Sequence, residues 1–90
     1  MLVLPAQLTH EQAAACARML SQAVRADASP AVVADAGALA QFDSSALAVL
    51  LDARREALAL GRTFTVAHLP PRLRELAAVY GVGELLPAAT

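Results

Sequence analysis

Three short apolar runs alternate along the chain with three segments of helical period, and that alternation narrows what the chain can fold into. Met1 to Leu4 and Ala31 to Ala36 (Ala-Val-Val-Ala-Asp-Ala) have the length and composition of strands, and Thr63 to His68 (Thr-Phe-Thr-Val-Ala-His) adds β-branched and aromatic residues. Between the first two, Thr9 and Gln12 have the spacing of a capping box ahead of Ala13, Cys16, Ala17, Leu20 and Val24, which predicts a helix ending near Ala26, before Ser29-Pro30. A second helix is predicted from Asp43-Ser44-Ser45 to Leu60, with Gly61 where a C-terminal capping glycine belongs. Pro70-Pro71 opens a third, with Leu73, Leu76, Ala77 and Tyr80 at spacings of three and four, stopping at Gly81 or Gly83 before a short Glu84-Leu85-Leu86 segment. Strands separated by helices need crossover connections, so the expected class is α/β with a largely parallel or mixed sheet covered by helices on at least one face.

Composition bounds the function. Ninety residues suit a single domain over 1–90, and no repeat, low-complexity tail or long linker divides them. The hydrophobic fraction is 58%, with only Phe42, Phe64 and Tyr80 aromatic, so the core has to be built from alanine and aliphatic side chains. Seven basic residues, all arginine, against eight acidic ones leave a net charge of −1, which gives no field to attract nucleic-acid phosphates or an anionic bilayer. Met1-Leu2-Val3-Leu4-Pro5 has no basic leader and is too short for a signal peptide, and no run approaches the ~18 apolar residues of a membrane span. The single Cys16, set among alanines, reads as a small buried thiol, and a cytoplasmic location follows.

On a helical wheel the second helix carries Ser45, Ala48, Asp52, Arg55, Glu56 and Ala59 on one stripe, with Ser44 at its edge, and Leu47, Leu50, Leu51, Ala57 and Leu58 on the opposite arc. The leucines are expected against the sheet and the stripe toward solvent or a partner. Ser44, Ser45 and Ala48 are small, so a partner can approach the first turn closely. Hydroxyls at a helix N-terminus serve for capping, for contact with a partner or for carrying phosphate. Asp43 as N-cap with two tolerated serines is one reading, although capping alone needs only one of the three.

Other residues carry less. His10 and His68 lie far apart, and neither has a second ligand at metal-binding spacing. No Gly-x-Ser-x-Gly elbow precedes a helix, and Gly37, Gly61, Gly81 and Gly83 form no phosphate-cradling loop, so hydrolase and nucleotide-binding readings are disfavoured and no cofactor is expected. Arg54 falls on the inner side of the second helix, to snorkel at the sheet edge or pair with an acid.

Val32-Val33-Ala34-Asp35-Ala36, then Phe42-Asp43-Ser44-Ser45-Ala46-Leu47 and a long helix to Gly61, resemble the hallmark of STAS domains, in which a strand ending in Asp leads to an Asp-Ser/Thr-Ser/Thr/Gly-Gly-Leu helix start. The resemblance implies a STAS-like mixed sheet of three to four strands with three to four helices. The tail Leu76-Ala77-Ala78-Val79-Tyr80-Gly81-Val82 with Leu85-Leu86-Pro87 is similar to the C-terminal end of MlaB-type proteins, small cytoplasmic subunits of the ABC transporter that maintains outer-membrane lipid asymmetry.

By that resemblance the chain is a non-catalytic subunit that binds the transporter's ATPase and associates with the inner membrane through it, without inserting directly. The contact hydroxyl falls on Ser44, and the expected partner surface comprises Asp43, Ser44, Ser45, Ala48, Asp52 and Arg55. In the anti-sigma-factor antagonists, the other branch, the partner is a kinase and the phosphorylated residue falls on Ser45. Two departures are visible. Ala46 stands where the family has Gly, which alters how closely a partner or kinase packs. The family's extra first strand, which pairs with the run at Met1 to Leu4, has no counterpart here, and an exposed edge of that kind is open to self-association as a homodimer.

Overall fold

The computed structural model describes residues 1–89. Alternating burial creates the sheet. In β1 (Leu2–Val3), β3 (Ala31–Asp35) and β5 (Thr63–Ala67), the side chains of Leu2, Val32, Ala34, Phe64 and Val66 are buried, while Val3, Val33, Thr65 and Ala67 on the other face are not. The strand order is β1-β3-β5, with Leu2 beside Ala34 and Val32 beside Phe64. Every strand pair among the described residues is parallel, as crossover connections require. The outer edge of β5 receives the C-terminal tail, anchored by buried Leu86. The Val66 N–H donates to the Pro87 carbonyl at 2.9 Å, and the Ala89 N–H donates to the Val66 carbonyl at 2.9 Å.

A second, two-strand ladder lies outside the sequence expectations. β2 (Gln7–Leu8) runs parallel to β4 (Gln41–Phe42), each immediately ahead of a helix. Two-residue strands carry no periodicity, so nothing in Gln-Leu or Gln-Phe announces them.

α1 (His10–Ala26) follows the expected pattern, with Cys16, Leu20 and Val24 buried. At its start the Oε1 of Gln12 accepts from the Thr9 backbone N–H at 3.0 Å and from the Thr9 hydroxyl at 2.6 Å. α2 (Ser45–Ala59) begins two residues later than expected, and its buried face is rotated. Ala46, Leu47, Val49, Leu50, Ala53 and Ala57 are buried, whereas Leu58 is 46% exposed and Leu51 only half-buried. The cause is that α2 packs against α1 as well as the sheet. Alanines at 46, 53 and 57 let the helices approach, which pulls the buried arc away from Leu58.

α2 ends in a Schellman motif: Gly61 has φ 73°, its N–H donates to the Leu58 carbonyl, and the Arg62 N–H reaches the Ala57 carbonyl. α3 (Pro71–Val79) ends the same way at Gly81, φ 72°, which resolves the two stops the sequence allowed. Leu73 and Ala77 are the buried residues of α3, and Tyr80, expected on the same apolar face, is 59% exposed. A 3-10 turn over Gly83–Leu85 then leads to the tail. No polar or charged side chain among the described residues is buried.

Candidate functional site

The first turn of α2 is built around Asp43, which follows β4. Its Oδ1 accepts from the Ser45 N–H at 2.8 Å, the Asp43 carbonyl accepts from the Ala46 N–H at 3.1 Å, and the Ser44 carbonyl accepts from Leu47 at 3.0 Å. Asp43 therefore caps from one residue ahead of Ser44, whose backbone is already helical at φ −62°, ψ −17°. The second carboxylate oxygen, Oδ2, accepts from the His10 N–H at 3.0 Å, at the opening of α1. The Ser45 and His10 N–H groups hold the carboxyl below the usual carboxylate range, with smaller contributions from the Ser45 hydroxyl and the His10 imidazole. Asp43 thus ties two helix starts together, which the β2–β4 ladder has already brought side by side.

With Asp43 occupied in this way, the serines differ. Ser45 is half-buried and its hydroxyl lies against the Asp43 carboxylate, whereas Ser44 is exposed. Two cavities adjoin Ser44. One, of about 550 Å³, lies between the α2 tip and α3 and is lined by Phe42, Asp43, Arg72, Leu76 and Tyr80 among others. The other, of about 360 Å³, runs along α2 over Leu47, Ala48 and Leu51 to Tyr80 and Val82. Ser44 and Tyr80 border both. At the outer end of the first, the Arg72 guanidinium stands 5.7 Å from the centre of the Phe42 ring, a cation–π distance.

The expected stripe divides between two places. Asp43, Ser44, Ser45 and Ala48 gather at the α2 tip, but Asp52 and Arg55 border a different groove, of about 380 Å³, between α1 and α2. There Arg55 pairs with Asp52 at 3.5 Å, and Glu56 is drawn into α1: its Oε1 accepts from Arg25 Nε at 2.7 Å and from the Ser21 hydroxyl at 3.1 Å. The Arg25 and Ser21 bonds lower the Glu56 carboxyl. Sequence reasoning missed Phe42, Arg72, Leu76, Tyr80 and Val82 as neighbours of Ser44, because the wheel treats α2 alone. The one available signal was Tyr80, an aromatic ring at a helix end in a chain with three.

Cys16 is buried and desolvation raises its thiol, which suits an inert core residue. Arg54 is half-buried, consistent with its inner position. His68, 33 positions from Asp35 in sequence, meets it in space at 3.1 Å. No helix among the described residues is long and apolar enough to cross a membrane.

A parallel sheet with its helices in crossover connections, and an Asp-capped Ser-Ser tip on the second long helix, define a STAS-type α/β domain. Residues 1–87 match the family model described as "Mlab, STAS domain", and the chain belongs to the STAS domain family. Among solved structures it is similar to the anti-sigma factor antagonist SpoIIAA in its unphosphorylated form, with a TM-score of 0.74 and 23% identity over 98% of this chain and 76% of that one. At that identity the likeness is one of fold. No curated protein matches the chain.

Proposed function

We propose that this chain is a non-catalytic accessory subunit that binds the ATPase of a phospholipid-transporting ABC complex maintaining outer-membrane lipid asymmetry, and is held at the inner membrane by that partner. The observation that carries the reading is the exposed Ser44 at the meeting of two grooves, with small Ala48 behind it and Tyr80 opposite. The description of the matched family model supports the transporter branch. Asp43 and Ser45 shape the tip from within, and Ser44 and Ala48 meet the partner. Asp52 and Arg55, one turn or more further along α2, would extend the docking surface toward the separate α1–α2 groove that they border. Ser44→Arg puts a long, charged guanidinium where the two grooves meet. It is expected to abolish co-purification with the ATPase while far-ultraviolet circular dichroism stays that of the parent, and a retained complex would overturn the reading.

A second reading has its own support in the structural likeness to SpoIIAA: an anti-sigma factor antagonist whose binding to a kinase is switched by phosphorylation of Ser45. Phosphate at Ser45 places about −1.5 to −2 charges beside the Asp43 carboxylate, and like-charge repulsion there would disturb the tip. Intact mass after incubation with a cognate kinase and ATP decides between them: a phosphate gain mapped to Ser45 favours the switch, and an unmodified chain that still captures the ATPase favours transport.

A further inference from the structure

The grooves bordered by α2 differ in what their charges are doing. Between α1 and α2 the charged side chains answer one another: Arg25 holds Glu56 and Arg55 holds Asp52, which leaves only Arg18 without a counter-charge. The cavity between the α2 tip and α3 is the reverse. Arg72 and Glu75 line it, both exposed, and neither makes an ion pair among the described residues. Asp43, the third charged residue there, has both carboxylate oxygens committed to backbone N–H groups. One free cation and one free anion therefore remain on the α3 wall. The cation is not loose, because the Arg72 guanidinium lies over the Phe42 ring at 5.7 Å, which holds it at the groove.

The same wall ends in unpartnered apolar surface. Val79 is 81% exposed, more than any other large apolar side chain among the described residues, and it lines the cavity beside Tyr80. Spacings of three and four put Arg72, Glu75 and Val79 on one face of α3, ~4.5 Å and ~6 Å apart along its axis. From the Pro71 end the wall thus reads cation, anion, apolar. Residues three and four apart on a second helix rise by the same steps, so a helix laid along α3 can offer a matching row. We propose that the occupant of this cavity is an amphipathic helix of the partner ATPase, with a carboxylate opposite Arg72, a cation opposite Glu75 and an apolar side chain against Val79 and Tyr80. The proposal deepens the reading of Ser44 as the docking site and rests on it. The apolar end supplies most of the affinity, and the charges set register and direction, because an inverted row brings like charges together. In the α1–α2 groove a charged partner would first have to break the Arg25–Glu56 and Arg55–Asp52 pairs, so the free charges favour the α3 wall.

Calorimetric titration of the full chain with the purified ATPase subunit, at ~50 mM and ~300 mM NaCl, tests the order of the charges. The double variant Arg72→Glu, Glu75→Arg keeps the composition and net charge of α3 and inverts the row, and at low salt it is expected to bind at least about tenfold more weakly than the parent. Arg72→Gln with Glu75→Gln removes both charges and should flatten the salt dependence that the parent shows. An inverted variant that binds like the parent would overturn the proposal, as would a neutral variant whose salt dependence is as steep as the parent's. Ser44→Arg keeps the two readings apart. If it abolishes binding while the inverted variant binds normally, the docking tip stands and the proposed occupant fails; if Ser44→Arg also binds, the docking reading has failed and the proposal with it. Both residues are exposed, so far-ultraviolet circular dichroism of the variants should match the parent, and the neutral variant decides even if the inverted one misfolds.

Discussion

The carboxylate of Asp43 serves two helices at once, and substitutions there test both roles. Asp43→Ala removes the acceptors of the Ser45 and His10 N–H groups. It is expected to lower the thermal midpoint and to speed hydrogen exchange at both amides. Asp43→Asn keeps one acceptor oxygen and should protect one amide of the pair but not both. Unchanged exchange at His10 in Asp43→Ala would mean the α1 start is held by other contacts. Tyr80 makes the opposite case. Its ring is mostly in solvent at the border of both grooves, so Tyr80→Ala should leave the denaturation midpoint within error while weakening partner capture. A large loss of stability would place the ring in the core instead.

Among the elements, α2 shows how much the sequence announces. Its cap and its Schellman glycine are local chemistry and are legible: Asp43 precedes the turn, and Gly61 adopts φ 73° with open space where a Cβ would point, nothing lying within 4 Å. Gly61→Ala therefore meets no clash and loses only through backbone strain, about 1 kcal/mol by denaturant titration. Leu50, fully buried, lies where the leucine periodicity puts it, and Leu50→Ala should cost about 2–5 kcal/mol. The orientation of the helix is less legible. The wheel puts Leu58 in the core and leaves Val49 out, because it registers hydrophobicity but not that α1 lies alongside and takes the alanine face. The β2–β4 ladder is invisible for a related reason: two residues have no period to read. The same limit applies to the site. The serine tip can be found from residue types at one helix start, but its opposite wall comes from α3, much further along the chain, and is known only once the chain is folded.

At the scale of the molecule, three carboxyls among the described residues are held below their ordinary range: Asp35 by Gly37 and His68, Asp43 by Ser45 and His10, and Glu56 by Arg25 and Ser21. A depressed carboxyl contributes stability above its unfolded value, near pH 4, and that contribution drains as pH falls through the lower folded value. Stability should accordingly rise with pH through the acid range, with a midpoint in urea lower at about pH 3 than at about pH 6. The combined Asp35→Asn, Asp43→Asn and Glu56→Gln variant should have a shallower acid slope than the parent. An equal slope would assign the acid sensitivity to the unfolded chain.

The wholly parallel pairing has a kinetic consequence. Leu2 finds Ala34, and Val32 finds Phe64, each 32 positions along the chain, so neither central pairing can form as a tight hairpin before its crossover helix has been enclosed. Ordering must await closure of long loops, which places such a chain among the slower small folders and makes it cooperative. Cutting it anywhere between Asp27 and Pro30 should leave two fragments that are each disordered and recover structure only on being mixed.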